Sequence, residues 1–419
     1  MLDDRPHLLV VATGLHIYRE YLLSSIGRSY RVHLLLGAEP TWERQYVDGW
    51  TVVADSLARD DLCAAARQLA QRDPVAGVLC WDEPRILLSA HVAEALGLPG
   101  GDPGMVLRCR DKHLTRLALD AAGVPQARSA LVATADEALA FAERTGYPVV
   151  LKPRALAASL GVVRADNPEQ LAERFAFARD TTVPGAWAYD VIVLVEQFLD
   201  GPEISVDSAV HRGEVLPMFV ARKHLGYPPY FEEVGHVVDA ADPLLHDPRV
   251  LDVLDRAHRA IGFTDGMTHT ELKLTADGPK IIEVNARLGG DMIPYLGLRA
   301  SGIDPGLAAA AVSCGRRPDL TPDRRLVGAI RFHYVDADDT TIGAIEVDPA
   351  ALPPDTEFVT LARPGDVMSP PPKGSTFGRI AFTIAVAGSP PDALAALDAA
   401  ERAVVVRPAS AAHPAGAAS

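Results

Sequence analysis

The stretch from His269 to Asp291, HTELKLTADGPKIIEVNARLGGD, constrains the fold more than any other part of the chain. Apolar and polar residues alternate on both sides of a DGP turn, and this pattern is typical of a β-hairpin. We expect its two strands at Thr268 to Leu274 and at Lys280 to Ala286. One face of the hairpin should then be core and the other polar and acidic.

Pairing across this turn sets Glu271 opposite Glu283 and His269 opposite Asn285. Two carboxylates that face each other repel, unless a cation lies between them or both are hydrated. Carboxylate and amide oxygens suit Mg²⁺, which usually also binds substrate phosphates. A solvated edge hairpin is the alternative, but Arg287 on the same face favours the cation. The apolar face is expected to hold Leu272, Leu274, Ile282, Val284 and Ala286.

Composition narrows the class of protein. The 419 residues are enough for two or three domains. A net charge of −15 argues against non-specific binding to nucleic acid or to an anionic membrane. The N-terminus is acidic, with too short an apolar run for a signal peptide, and no stretch has the length of a membrane span. We therefore expect a cytoplasmic protein. Its cysteines lack metal-ligand spacing: Cys63, Cys80, Cys109 and Cys314.

The N-terminal part has the pattern of a parallel sheet covered by helices. Three short apolar strands are predicted, with helices such as Leu57 to Gln71 between them: His7 to Thr13, Tyr30 to Leu36 and Val75 to Cys80. Asp82 and Glu83 follow the third strand, at the edge where ligands approach such sheets. Either could contact a substrate ammonium group, or be a solvated loop acid.

A turn-rich segment, Leu96 to Gly104, is typical of a domain boundary, and a helix from Asp111 to Ala122 should follow it. Lys112 lies in the first turn of that helix. Further on, a strand from Tyr147 to Lys152 leads into a loop of small side chains that includes Ser159. Such a loop lets backbone N–H groups face phosphate oxygens, with Lys152 as a point charge.

An apolar strand, Val191 to Val195, is predicted next, followed by a link from Glu196 to Leu199 and a strand from Glu203 to Val210. The aromatic-rich loop from Tyr227 to Glu233 suits the wall of a small-molecule pocket. Glu233 and His236 could orient a substrate, or could cap a secondary-structure element. The C-terminal part should contain three strands and a helix: Leu326 to Val335, Ile342 to Val347, Gly378 to Ala387 and Pro391 to Arg402.

These motifs, in this order, resemble the ATP-grasp superfamily, and specifically its carboxylate–amine ligases of the bacterial L-amino-acid ligase type. HTEL followed by EVNARLGGD resembles the metal-binding end of that fold. The loop of small side chains that follows Lys152 resembles the phosphate-covering loop of that fold, but it is richer in alanine than in glycine. The resemblance implies an α/β fold, α+β in its central part, with these units: an N-terminal parallel βαβ domain (1–108), a small lid lobe (109–195), a large ATP- and metal-binding lobe (196–320), a C-terminal subdomain (321–407) and a disordered tail (408–419).

The resemblance also implies roles for individual residues. Arg287 and Gly290 would be catalytic. One or two Mg²⁺ ions, with Mn²⁺ as a substitute, would be held by Glu271, Glu283 and Asn285. Five residues are assigned to the substrates: Glu83, Glu233, His236, His269 and Asp291. ATP would be bound by Lys112, Lys152, Ser159, Glu196, Gln197, Phe198, Leu199, Glu203 and Asn285.

The implied activity is ATP-dependent joining of a carboxylate, expected to belong to an amino acid, to the amine of an amino acid through an acyl phosphate. Alternatives are a γ-glutamyl-type ligase that uses a side-chain carboxylate, another ATP-grasp ligase or carboxylase, and an adenylating enzyme that releases pyrophosphate. A non-catalytic nucleotide-binding protein is a further alternative. The expected partners are small-molecule acids and amines and, as a homodimer, a second copy of the chain.

Overall fold

The computed structural model describes residues 4–182 and 192–409. The predicted tail from 408 therefore lies, from residue 410 onward, outside the described residues. No helix in the described ranges is both long and apolar enough to cross a membrane.

A four-stranded parallel sheet forms the N-terminal part, in the order β3-β2-β1-β4. Every residue of β1 is buried, because its sequence HLLVV is almost wholly apolar and strands pair with it on both sides. The parallel sheet predicted for this region is confirmed. Its elements are β1 His7–Val11, α1 His16–Ser29, β2 Arg31–Leu36, β3 Gly49–Val52, α2 Arg59–Ala70, β4 Gly77–Leu79 and α3 Ile86–Leu96.

Two helices lead into a small antiparallel sheet, whose strand order is β5-β8-β6-β7. The first of these helices was not predicted, because its first two residues belong to the turn-rich segment and the predicted helix began only at Asp111. Asp102 caps it by accepting from the Met105 N–H at 3.1 Å, and Pro103 suits its first position. The elements are α4 Pro103–Arg110, α5 Lys112–Ala121, β5 Ser129–Val132, α6 Ala135–Thr145, β6 Val149–Pro153, β7 Val163–Ala165, α7 Pro168–Asp180 and β8 Val193–Gln197.

The large sheet has eight strands in the order β13-β12-β9-β10-β11-β14-β18-β16. It continues across residue 320, where a domain boundary was predicted, and the unit boundaries stay predictions. The predicted aromatic loop is shorter than expected, because β11 already begins at Glu232. The elements of this part are β9 Glu203–His211, β10 Glu214–Gly226, β11 Glu232–Asp239, α8 Pro248–Ile261, β12 Gly266–Thr275, β13 Gly278–Asn285, α9 Ile293–Ser301, α10 Pro305–Ser313, β14 Val327–His333, β15 Thr340–Val347, β16 Thr356–Thr360, β17 Val367–Met368, β18 Ala381–Ala387, α11 Pro390–Arg402 and β19 Val404–Pro408.

The hairpin of β12 and β13 has the predicted register, since Glu271 pairs with Glu283 and His269 with Asn285. The prediction for Ile282 was wrong. The register shifts between Glu271 and Leu272, so that Leu272 pairs with Ile281. An extra residue in one strand turns the following side chains. Ile281 is therefore buried in the core, whereas Ile282 lines the cavity described below.

Candidate active site

A cavity that opens to solvent, with about 830 Å³ of empty space when the adjoining solvent is included, lies between the small antiparallel sheet and the hairpin of the large sheet. Most of the residues predicted from the sequence line it: Lys112, Lys152, Ser159, Glu196, Gln197, Phe198, Leu199, Glu203, Glu233, Glu271, Glu283, Asn285 and Arg287. The others lie outside this lining, namely Glu83, His236, His269, Gly290 and Asp291.

Two buried lysines stand at one end of the cavity. Lys112 begins α5, and its Nζ lies 3.0 Å from Glu283 Oε1 and donates to the Leu156 carbonyl of the small-residue loop. Lys152 is the penultimate residue of β6, and its Nζ lies 2.8 Å from Glu196 Oε2. Burial lowers the pKa of Lys152, although the Glu196 carboxylate opposes this. Both cations are placed where phosphate oxygens could replace or share their carboxylate partners.

The Glu196 carboxylate belongs to a buried ion cluster. Arg116 Nε donates to its Oε1 at 2.6 Å, and Arg116 Nη2 donates to its Oε2 at 3.1 Å. Burial alone would raise the pKa of Glu196, but Arg116 and Lys152 lower it to about 2. Because this side chain is already occupied, any contact of Glu196 with a nucleotide would come from its backbone. Sequence reasoning missed Arg116.

The small-residue loop between β6 and β7 has an unusual backbone. Ala158 and Ser159 have φ values of 58° and 54°, in the left-handed region that side chains disfavour, and Gly161 follows at 73°. Ala157, Ala158 and Ser159 all line the cavity. Consecutive residues in such conformations present backbone N–H groups to one side, an arrangement that suits an anion.

Phe198 directly follows β8 and lines the same cavity. The Arg164 guanidinium lies 4.5 Å from the centre of its ring, and the Phe231 ring lies 6.4 Å away. These groups form a flat, mostly apolar wall beside the backbone of Gln197 to Leu199. Such a wall suits a planar heterocycle.

Lys223 on β10 joins three carboxylates of the site. Its Nζ lies 3.1 Å from Glu203, 2.7 Å from Glu233 and 3.2 Å from Glu271. Burial alone would lower the pKa of Lys223, but the three carboxylates raise it well above its usual value. Sequence reasoning missed this residue, because the strand that carries it was not recognised.

The two hairpin glutamates already have cationic partners, Lys223 for Glu271 and Lys112 for Glu283. Their mutual repulsion, for which the sequence left either a cation or hydration as the explanation, is offset by these lysines. Together with Asn285 they still present hard oxygen donors to the same cavity as Lys152 and Arg287. This donor set fits a magnesium ion that also contacts phosphate oxygens.

Arg287 follows the hairpin and is held by the N-terminal domain. Its Nε donates to the Glu83 carboxylate, and Arg110 Nη1 lies 3.4 Å from the same carboxylate. Burial alone would lower the pKa of Arg287, but Glu83 raises it. Glu83 was assigned to a substrate ammonium group, whereas the structure places it beside two guanidinium groups.

A second polar cluster lies behind the cavity. His236 Nε2 is 3.3 Å from both Glu233 and Asp291, and these three side chains offer ligand atoms within 4.8 Å of one another. Arg379, which sequence reasoning missed, donates to Asp291 at 2.7 Å and 2.9 Å and stands 3.6 Å from the centre of the Phe332 ring. The guanidinium supplies the positive charge that this cluster needs.

His269 faces the protein interior instead of the cavity. It donates from Nδ1 to Asp207 Oδ1 at 2.7 Å, and its Nε2 lies 3.4 Å from Glu271 Oε1. Burial opposes a charge on the ring, but Asp207 raises the pKa of His269 to about 9. The sequence held a signal for Asp207, since Glu203, Ser205 and Asp207 alternate along one face of β9.

A parallel N-terminal domain followed by two antiparallel sheets that enclose this cavity defines an ATP-grasp protein. The family model of the ATP-grasp domain matches residues 145–295. The crystal structure of an L-amino acid ligase from Bacillus licheniformis has the same fold, with a TM-score of 0.79 at 22% identity over 97% of this chain and 100% of that one. A biotin carboxylase from Campylobacter jejuni, crystallised with βγ-ATP, has a TM-score of 0.68 at 16% identity, over 96% of this chain and 92% of that one.

Sequence relatives agree with this fold. The protein y4rH of Sinorhizobium fredii is 31% identical over 378 residues, which cover 87% of this chain and 77% of y4rH. Alanine–anticapsin ligase of Bacillus subtilis is 28% identical over 316 residues, which cover 66% of each chain. The chain belongs to the ATP-grasp superfamily, as an ATP-dependent carbon–nitrogen ligase.

Proposed function

We propose that this protein joins the carboxylate of one amino acid to the amine of a second one, at the expense of ATP. The main support is that three cationic and three oxygen-donor side chains line one cavity. The cations are Lys112, Lys152 and Arg287, and the oxygen donors are Glu271, Glu283 and Asn285. One relative is named for joining alanine to anticapsin, and one fold neighbour is named as an L-amino acid ligase. Both names support an amino acid as a substrate.

The proposed chemistry has two steps. A substrate carboxylate oxygen attacks the terminal phosphorus of ATP, so that an acyl phosphate forms and ADP leaves. The amine nitrogen of the second substrate then attacks the acyl carbon, so that the C–N bond forms, phosphate leaves and the nitrogen loses a proton. Magnesium supplies divalent charge beside the phosphates when it is bound.

The side chains position the reactants and stabilise charge. Arg287, oriented by Glu83, presents a fixed positive charge to the transferring phosphoryl group and the acyl-phosphate oxygens, and the Gly290 N–H adds a donor. Glu271, Glu283 and Asn285 would hold the metal.

The remaining contacts are proposed from the family resemblance, and the residues proposed to bind the adenine and the ribose line the cavity. The backbone of Gln197 to Leu199 would bind the adenine, and Glu203 the ribose hydroxyls. The loop from Lys152 to Gly161 would close over the phosphates and keep water from the acyl phosphate. Glu233, His236 and Asp291, with Arg379 behind them, would orient the substrates.

The test is phosphate release with Mg·ATP across a matrix of amino-acid pairs, with mass spectrometry of every positive reaction. We expect release that requires two amino acids and a product lighter than their sum by one water. Glu283→Gln protein serves as the control for contaminating ATPase activity. Release of pyrophosphate would indicate adenylation instead, and silence with every pair would contradict amino-acid ligation.

A further inference from the structure

The loop of residues 286–290 carries Arg287 and Gly290, so its position decides whether these groups face the reacting atoms. Gly289 lies within it and is bound from two sides. Its N–H donates to Asp207 Oδ1 at 3.1 Å, and its carbonyl accepts from Arg19 Nη1 at 3.3 Å. Asp207 belongs to β9 and Arg19 to α1, so this one residue connects the loop to the large sheet and to the N-terminal domain.

Asp207 also binds the hairpin of β12 and β13, through His269. The carboxylate oxygen that accepts from Gly289 accepts as well from His269 Nδ1 at 2.7 Å. His269 lies on β12, two residues before Glu271, and Nε2 of its ring is 3.4 Å from the Glu271 carboxylate. One buried oxygen therefore joins the strand that carries Glu271 to the loop that carries Arg287.

Close packing explains the residue type at position 289. A Cβ there would lie 2.8 Å from His269 Nδ1 and 3.0 Å and 3.2 Å from the two Asp207 carboxylate oxygens. Neither neighbour can move easily, because His269 is 4% and Asp207 1% exposed. A Cβ at Gly290 would meet no described atom within 4 Å. The adjacent glycines thus serve different purposes, the first in packing and the second at the open side of the loop.

We propose that Asp207 is a positioning residue that fastens the Arg287-bearing loop to the Glu271-bearing strand, with Arg19 holding the same loop from the N-terminal domain. The inference rests on the proposed function. On this inference the Gly289 N–H is used in a hydrogen bond within the protein, to Asp207. The Gly290 N–H is then the donor of this loop that remains for the acyl-phosphate oxygens. A displacement of about 1 Å at a reacting group costs about 10²-fold in rate.

The test compares Asp207→Asn with Ser208→Ala. The amide keeps the shape of the carboxylate but loses the charge that holds two N–H donors. We expect kcat to fall about 10²-fold and the KM for ATP to stay close to that of the wild type. The unfolding temperature should fall, because His269 loses its buried counter-charge. Ser208 is the next residue on β9, is 0% exposed and has a hydroxyl with no partner in the described structure. Its alanine variant should match the wild type in every respect.

Hydrogen–deuterium exchange of the peptide that spans residues 286–293 supplies a readout besides activity. We expect faster exchange in Asp207→Asn and no change in Ser208→Ala. Should Asp207→Asn fail to fold, Arg19→Gln removes the bond on the other side of Gly289 and is expected to change both readouts in the same direction.

Three results would overturn the inference: a wild-type kcat, unchanged exchange in the loop, or a raised KM for ATP with kcat intact. If the wild type joins no pair of amino acids, the proposed function fails, and the exchange experiment still decides whether Asp207 holds the loop.

Discussion

Each of the two hairpin glutamates in the cavity is paired with a lysine side chain. Lys112 accompanies Glu283, and Lys223 accompanies Glu271, each within about 3 Å. A buried carboxylate that keeps such a partner avoids most of the cost of burial. The hairpin can therefore carry its two glutamates without a bound ligand. A ligand that binds there would meet carboxylates and lysines that are already paired, and it would replace one member of each pair.

Glu283→Gln should abolish magnesium-dependent turnover while the protein stays folded, because the amide is a weaker ligand without charge. Removing one carboxylate relieves repulsion from Glu271 but deprives Lys112 of its counter-charge, so we expect no gain in the free energy of unfolding. Phosphate release and urea unfolding measure the two effects. Glu214→Gln, which disrupts an exposed pair with Arg317, is the matched control and should change neither. Near wild-type turnover in Glu283→Gln would disprove the metal assignment.

Glu196 should make the protein sensitive to acid. Its pKa is lowered to about 2 in the folded state, against a usual value of 4.5. The stabilisation, about 3 kcal/mol, is fully present above the unfolded pKa and is lost as the pH falls from about 4.5 to about 2. Glu196→Gln should be less stable at neutral pH and should show a flatter pH dependence in that window. Urea unfolding at several pH values measures both, and parallel curves for the two proteins would contradict this role.

At the scale of elements, the sequence predicts what local pattern controls and misses what tertiary contacts control. Alternation around a tight turn was enough to place Glu271 opposite Glu283. The register shift that moves Ile282 into the cavity depends on packing against the rest of the sheet, which the pattern does not contain. Lys223 was missed for a different reason, because the strand that carries it was not recognised and a lysine is normally assigned to the surface.

The small-residue loop between β6 and β7 offers a test of backbone strain. Ala158 has a φ of 58°, which costs an L-residue about 1–2 kcal/mol. Ala158→Gly should therefore raise the free energy of unfolding by about 0.5–1 kcal/mol after the entropy of the unfolded glycine is included. Ala157→Gly, at a neighbour outside the left-handed region, should lower it by about as much. Urea unfolding of both variants decides, and shifts of the same sign would contradict the strain.

At the scale of the whole molecule, residues from the N-terminal domain, the two antiparallel sheets and a C-terminal segment of the described chain contribute to one site. Glu83 and Arg19 come from the N-terminal domain, and Arg379 comes from a segment near the C-terminus. Arg287 and Glu83 are 204 residues apart in sequence. Single-sequence patterns identify the type of such residues, but they do not say which distant pairs meet, and Glu83 was for that reason assigned to a substrate.

Glu83→Gln should lower kcat about 10²-fold, because Arg287 loses the charged partner that orients it, while the KM for ATP changes little. Steady-state kinetics with both substrates saturating provides the measurement. Asp73→Asn is the matched control, since Asp73 pairs with Arg31 at 2.7 Å near the opposite edge of the N-terminal sheet. That variant should keep the wild-type kcat. Equal losses in both variants would mean that the effect is general destabilisation.

The balanced charges of the cavity have a consequence for how quickly a nucleotide arrives. The lining holds five glutamates against four lysine and arginine side chains, with Lys223 behind them, while the whole chain carries a net charge of −15. An approaching Mg·ATP, itself negative, is repelled at long range and meets favourable groups only on contact. Salt that shortens the Debye length to about 10 Å or less weakens that repulsion. Nucleotide capture by this protein should therefore become faster as ionic strength rises, the reverse of the behaviour of a basic binding surface.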